Sequence, residues 1–415
     1  MKSKKKNRWV KFRHKLIVAI ARIFISPYVR LKYRVKVSPF KKEKNRQFLI
    51  LLNHQTAYDQ FLVSMTFKRP VYFVASEDLF SNGFVSKLLK WAVAPIPIKK
   101  QVNDSLAVMN CLRVAKEGGT IAIAPEGNRT YSGTTEYLKP SIVKLVKILK
   151  LPVAIYRIEG GYGVHPRWSD CIRRGEIKSY VSKVIEADEI KKMSDEELLT
   201  IINSELYVDD YSYTGKYIHK KRAEYLERAI YVCPECGFSN FESEGNLIKC
   251  KTCGLSVEYG EDKLLSSNNQ SFTFKTVKEW YDYQADFVRK SDMQNYIENP
   301  LYVDDASFFE VVLYKRKRKI AKKSKISIYA NKFIVDYFDN QIILDFDNVS
   351  AVSVLGRNKL NVYYLDKVYQ FKGSKRFNAL KYVHLYYHAI NGGKEGEFWE
   401  YNHLHFYING YDQRC

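Results

Sequence analysis

Two short segments carry most of the reactive side chains. In LLNHQTAYDQF, His54 directly follows an apolar run and Asp59 comes five positions later, in what reads as the opening of a helix. A neutral imidazole takes a proton from a hydroxyl only when its tautomer is set. A carboxylate on the other ring nitrogen sets it and stabilises the imidazolium that forms. No serine or cysteine is needed if the hydroxyl of an acceptor molecule is itself the nucleophile. Taken alone, the pair better suits a helix N-terminus with an incidental histidine. In TIAIAPEGNRTYSG an apolar run leads into Glu126, Gly127, Asn128 and Arg129. The glycine lets backbone N–H groups face an anion, and Arg129 offers a planar donor fork suited to a phosphate. Glu126 can hold that arginine or accept from a substrate hydroxyl. Alone, this too is a common polar turn.

A third group is CPECGFSNFESEGNLIKCKTCG, in which Cys233 and Cys236 form one Cys-x-x-Cys pair and Cys250 and Cys253 a second. Two such knuckles, with Gly237 and Gly254 after them, suit a zinc ribbon with four thiolates around one Zn²⁺. Four thiolates leave no open position for water, so the expected metal is structural and the catalysis needs none. The ribbon is expected to have no core of its own. Ribbons of this kind often touch nucleic acid, but Glu235, Glu242 and Glu244 argue against a phosphate-tracking groove here.

The elements that must position these residues follow from periodicity. Apolar runs at 48–52, 71–75, 94–98, 120–124 and 152–156 alternate with helical patterns, the signature of an α/β layered domain. In such sheets the site is expected at the carboxyl ends of the strands, which is where His54 and Glu126 fall. After residue 300, seven short alternating runs lead into the helical KRFNALKYVHLYYHAIN. That pattern suggests an antiparallel barrel-like or bent sheet with a C-terminal helix, similar in topology to the pleckstrin-homology-like (PH-like) fold.

The four ordered blocks together resemble the glycerolipid acyltransferase family. They are Asn53-His54 with Asp59, Pro-Ile-Pro-Ile-Lys-Lys at 95–100, Ala124-Pro-Glu-Gly-Asn-Arg-Thr130 and Leu151-Pro-Val-Ala-Ile155. The nearest branch looks like the bacterial 1-acyl-glycerol-3-phosphate acyltransferases, and the resemblance covers about residues 10–210. It implies that His54 deprotonates an acceptor hydroxyl for attack on an acyl thioester while Asp59 orients it. Arg129 and Gly127 would bind the acceptor phosphate, supported by Glu126, with Lys99 or Lys100 as a second cation. The donor would be acyl-CoA or acyl carrier protein, and the acceptor a lysophospholipid. Ala124, Asn128 and Thr130 depart from the usual Phe-Pro-Glu-Gly-Thr-Arg-Ser, which leaves the acceptor open. Another lysophospholipid or a glycolipid hydroxyl remains an alternative, as does a non-enzymatic zinc-ribbon and PH-like adaptor for membrane or nucleic acid.

Charge distribution narrows the partners. The 415 residues carry +23, but residues 1–46 alone hold +16 and residues 315–325 hold +8, leaving the rest at −1. The body is near neutral with two basic patches. Trp9 and Phe12 sit among the first set of charges, ahead of an apolar stretch at 16–29 that Arg22 and Pro27 interrupt. Falling short of the roughly 20 residues that span a bilayer, the segment suits a helix lying on an anionic membrane surface. No secretory leader pattern is present, so a peripheral or monotopic protein on the cytoplasmic face is expected. The expected divisions are 1–46 as membrane arm and helices, 47–215 as acyltransferase domain and 228–260 as zinc ribbon. Beyond these come 261–300 as helical linker, 305–392 as PH-like domain and 393–415 as tail.

Overall fold

The computed structural model describes residues 8–80, 83–98, 105–312 and 317–391. Lys99 and Lys100, the start of the basic arm, Lys315 and Arg316, and the tail from 393 lie outside the described residues. The described chain forms two compact units. The first is built from residues up to 215 apart from 167–173, and the second from 167–173 and the residues after 215.

The first unit opens with α1 (Phe12–Tyr33), one helix that runs through Pro27, with Arg30 and Lys32 in its last turn where they oppose the helix dipole. Among the described residues it is the one α-helix before residue 47, where several were expected. What ties it down is largely polar. His14 is buried with Nδ1 3.1 Å from the Tyr72 hydroxyl. Arg22 donates to the carbonyls of Phe67, of Lys68 at 2.7 Å and of Arg69 at 3.3 Å. Arg22 is thus an anchor rather than a flaw in an apolar span.

The chain continues through β1 (Val35–Val37), β2 (Leu49–Leu52), α2 (Asp59–Thr66), β3 (Val71–Ser76), α3 (Phe84–Ala92) and β4 (Ile96–Ile98). Next come α4 (Ser105–Lys116), β5 (Thr120–Ile123), α5 (Ser141–Leu149), β6 (Val153–Glu159) and the single turn α6 (Gly161–Val164). β7 (Ile177–Ile185), α7 (Ala187–Lys192) and α8 (Asp195–Leu206) complete the unit. The seven strands lie in the order β1-β7-β6-β2-β5-β3-β4. All pairs are parallel except β6 with β7. The five strands expected from apolar runs are β2 to β6. Strands buried on both faces read as unbroken apolar runs, and Leu49, Ile50, Leu51, Val153, Ala154 and Ile155 are fully buried. Ile142, Val146, Leu198 and Ile202 pack on this sheet from α5 and α8. A reciprocal Ser194–Glu197 capping box starts α8.

In the second unit, β8 (Val232–Cys233) pairs with β9 (Gly237–Phe238), and β10 (Phe241–Glu244), β11 (Leu247–Cys250), β12 (Ser256–Tyr259) and β13 (Leu265–Ser266) form an antiparallel sheet. α9 (Val277–Lys290) follows, capped by Thr276, whose hydroxyl accepts from Glu279 N at 3.1 Å. α9 lies within the stretch expected as a helical linker, and it packs inward. Trp280 is fully buried, donates to Val232 O at 2.9 Å, and stacks edge-on against Phe241 and Phe272. The cysteine ribbon therefore shares an aromatic core with α9.

β14 (Tyr302–Glu310), β15 (Arg318–Ile328), β16 (Lys332–Tyr337), β17 (Asn340–Asp345), β18 (Val349–Leu355), β19 (Lys359–Tyr364) and β20 (Lys367–Gly373) make one antiparallel sheet, ordered β17-β16-β15-β14-β20-β19-β18. β17 and β18 end it unpaired with each other, so the sheet is a curled half-barrel, packed by α10 (Ala379–Asn391). From Arg318 onwards the second basic patch lies in β15. There Arg318 pairs with Glu310, and Lys325 stands directly opposite Asp305 and Asp336. Cross-strand carboxylates thus neutralise part of that patch.

Candidate active site

The central sheet aligns the two reactive segments by register. β2 and β5 are parallel neighbours in which Leu51 is paired with Ile123. His54 and Glu126 each lie three residues beyond that pair, so both emerge at the same carboxyl edge. Three contacts fix them there: the His54 N–H donates to Glu126 Oε1 at 2.6 Å, Thr130 N–H donates to the His54 carbonyl at 3.2 Å, and Glu136 N–H donates to Glu126 Oε2 at 2.8 Å.

His54 Nδ1 is 2.7 Å from Asp59 Oδ2, its side chain about a third exposed at 31% and that of Asp59 2%. Asp59 opens α2, and its carboxylate also accepts from Gln55 N–H and Thr56 N–H, each at 2.9 Å, and from the Thr56 hydroxyl at 2.6 Å. Three donors from the local loop hold Asp59 in one orientation, so the proton on the histidine sits at Nδ1. The basic lone pair then belongs to Nε2. Such an imidazole can take a proton from a hydroxyl and hold it while the adjacent carboxylate stabilises the cation.

Gly127 turns the chain at φ +69°, a left-handed conformation that suits glycine, and a Cβ there would meet nothing within 4 Å. Backbone geometry, not space, is thus what this position requires. Arg129 follows two residues later and is half-buried. Glu126 clamps the two segments through its carboxylate. Enclosure pushes its carboxyl well above the ordinary range, opposed by the two N–H donors that favour the ionised form. Glu126→Gln replaces one acceptor oxygen by an NH₂ that faces a backbone N–H. Denaturant unfolding is expected to show a loss of about 1–3 kcal/mol, and an unchanged midpoint would remove the clamp from the account.

Three site-supporting residues carry no chemistry that the sequence exposes. The Asn53 amide exchanges two 2.8 Å hydrogen bonds with the Ile158 backbone and ties the end of β2 to β6. Gln55 Oε1 accepts from Tyr162 N–H at 2.8 Å. Asp210, fully buried, accepts from Gly160 N–H at 2.7 Å and Gly163 N–H at 2.9 Å. The paired glycines at 160–161 were the available signal: a Cβ on Gly161 would approach Gln55 Cβ to 2.6 Å. By contrast, Arg173 in the same segment belongs to the second unit, buried with its guanidinium 4.8 Å from the ring centroids of both Trp168 and Tyr259.

The four cysteines come together as their spacing suggests. Their Sγ atoms lie within 4.8 Å of one another, with Cys233 to Cys253 at 3.5 Å and Cys236 to Cys250 at 3.6 Å. Sulfurs about 2.3 Å from a central ion in a tetrahedron stand about 3.8 Å apart, so this set can hold one metal ion. Gly237 and Gly254 follow the knuckles at φ +75° and +78°. Ser239 Oγ lies 3.1 Å from Cys250 Sγ, where its hydroxyl can donate to a thiolate.

Comparison with known proteins points to one class. Residues 34–157, which carry β1 to β5 and most of β6 with both reactive segments, match the protein-family model described as Acyltransferase. A curated relative is the 1-acyl-sn-glycerol-3-phosphate acyltransferase of Borreliella burgdorferi, 29% identical over 119 residues, or 27% of this chain and 47% of that protein. The chain thus spans about half the length of the curated relative it matches. Among solved structures, the 1-acyl-sn-glycerophosphate (LPA) acyltransferase PlsC from Thermotoga maritima is 18% identical, with a TM-score of 0.37, covering 48% of this chain and 91% of that one.

Proposed function

We propose that this protein is an O-acyltransferase that moves a fatty acyl group from acyl-CoA or acyl carrier protein to the free hydroxyl of 1-acyl-glycerol-3-phosphate, giving phosphatidic acid. The observation that carries this reading is the His54–Asp59 pair, held at one sheet edge beside the Gly127 turn and Arg129 by the Glu126 clamp. His54 Nε2 takes the acceptor hydroxyl proton as its oxygen bonds to the thioester carbonyl carbon. The C–S bond then breaks, and the thiolate leaves with the proton that the imidazolium returns. No metal takes part in these steps. Arg129 and Gly127 hold the acceptor phosphate, Lys99 or Lys100 adds a second cation, and Glu126 positions the loop.

The four-cysteine cluster is read as a structural Zn²⁺ site, since its all-thiolate donor set is closed to substrate. The basic arm and α1 support a peripheral position on the cytoplasmic membrane face, and no described helix is long and apolar enough to cross a bilayer. The test is mass spectrometry of the lipid formed from mixed lysophospholipid and glycolipid acceptors with both donors. Phosphatidic acid is the expected product, and the absence of any acylated product would overturn the reading. Arg129→Ala is expected to raise the acceptor KM about 10–100-fold, the worth of a charge-assisted hydrogen bond, with a smaller change in kcat. An unchanged KM would move the phosphate elsewhere.

A further inference from the structure

Helices at the surface of a folded unit ordinarily turn their apolar stripe inward. α1 and α3 leave much of theirs outside. On α1 the inward side carries the anchors His14 and Arg22 together with buried Val29 and Tyr33, while Phe12, Ile23, Phe24 and Leu31 are exposed, Leu31 at 82%. On α3 the buried residue is Ser86, whose hydroxyl donates to Leu79 O at 2.6 Å. Four of its apolar residues, Phe84, Val85, Leu88 and Trp91, stand in solvent, at 78%, 55%, 49% and 52%. Their spacing puts them on one face.

The two helices belong to one unit and touch. Arg13 Nε donates to Trp91 O at 3.1 Å, its guanidinium 5.3 Å from the Trp91 ring centroid, and Trp9 Nε1 donates to Ala94 O at 2.9 Å just beyond α3. α4 adds exposed Leu106 and Met109. Across these three helices stand nine Lys or Arg and no Asp or Glu. Acids are instead found elsewhere in the unit, as in the first turns of α7 and α8. Exposed apolar stripes interleaved with cations alone complement a layer that is apolar within and negative at its face. A patch of this size left in water would be a liability to a soluble chain.

We propose that α3 is a second membrane-contacting helix, which with α1 lays a shared apolar face into an anionic phospholipid bilayer. This rests on the peripheral-membrane reading above and adds α3 to it. Trp91, beside Arg13, then sits at headgroup level, where an indole ring is favoured.

The test uses the full chain, wild type and Phe84→Glu/Leu88→Glu, in flotation with vesicles of phosphatidylcholine alone or with phosphatidylglycerol. Both replaced side chains are exposed, and circular dichroism checks that the fold is kept. Wild type is expected to float with the anionic vesicles, and the variant to bind at least about tenfold more weakly, the worth of one buried apolar side chain or more. Bromolipid quenching of tryptophan fluorescence is expected to fall in Trp91→Phe. If wild type binds and the double variant binds equally, α3 is not a membrane helix and α1 acts alone. If wild type binds no vesicle, the peripheral-membrane reading itself fails. Self-association through this face without lipid binding would assign it to a second copy and overturn the proposal.

Discussion

His54→Ala is expected to reduce acyl transfer by about 10³-fold or more, the usual worth of a positioned general base. Folding and vesicle binding should be unchanged. The selectivity of the effect follows from which atoms of His54 do what. Its main chain joins the two reactive segments, donating to Glu126 and accepting from Thr130, and alanine retains both of those contacts. Its partly exposed imidazole contributes the basic Nε2, whose orientation comes from Asp59. Circular dichroism and unfolding curves of the variant should overlay those of wild type. Turnover at the wild-type rate would exclude His54 as the base and, with it, the proposed mechanism. Asp59→Asn provides a graded companion: the amide keeps the shape of the carboxylate but no longer stabilises the imidazolium, so activity should fall while Nδ1 keeps a neighbour.

The second large effect concerns the cysteine cluster. Cys250→Ala, or treatment with a strong zinc chelator, is expected to lower the melting temperature by at least about 10 °C. Zinc binding in small ribbons is worth about 10–16 kcal/mol, and a loss of only part of that shifts a unit of this size by several degrees per few kcal/mol. Complete unfolding of the second unit is not expected, because Phe241, Phe272 and Trp280 give the ribbon and α9 a core that does not depend on the metal. Elemental analysis of the purified chain should find one zinc per protein. A chain that contains no metal and melts identically after chelation would show the cluster to be an ordinary set of reduced thiols.

The sequence exposed the chemistry because each reactive group is embedded in a local pattern. The His54–Asp59 spacing matches the reach of one loop and the first turn of α2, and all four groups that hold Asp59 lie within five residues of it. The Cys-x-x-Cys pairs and their glycines likewise encode their own knuckles. Patterns said less where an element's role depended on what packs over it. α9 has the amphipathic look of a linker helix, yet aromatic contacts on the ribbon side make it core. The basic residues from Arg318 onwards look like one uninterrupted cationic patch, and only the register sets Lys325 against Asp305 and Asp336. Arg22 looks like an interruption until the carbonyls of Phe67, Lys68 and Arg69 are found beneath it.

The sequence alone therefore determined the α/β alternation, the strand identities from β2 to β6, the residue types of the two reactive segments and the cysteine set, all of which rest on short-range periodicity and spacing. The tertiary structure decided which of these groups meet. His54 and Glu126 are 72 residues apart in the chain, and Asp210 is about 50 residues from the glycine turn it holds. Such contacts exist because apolar strands buried on both faces settle into one order and one register. That choice is made by packing across the whole core and leaves no mark in any single stretch of residues.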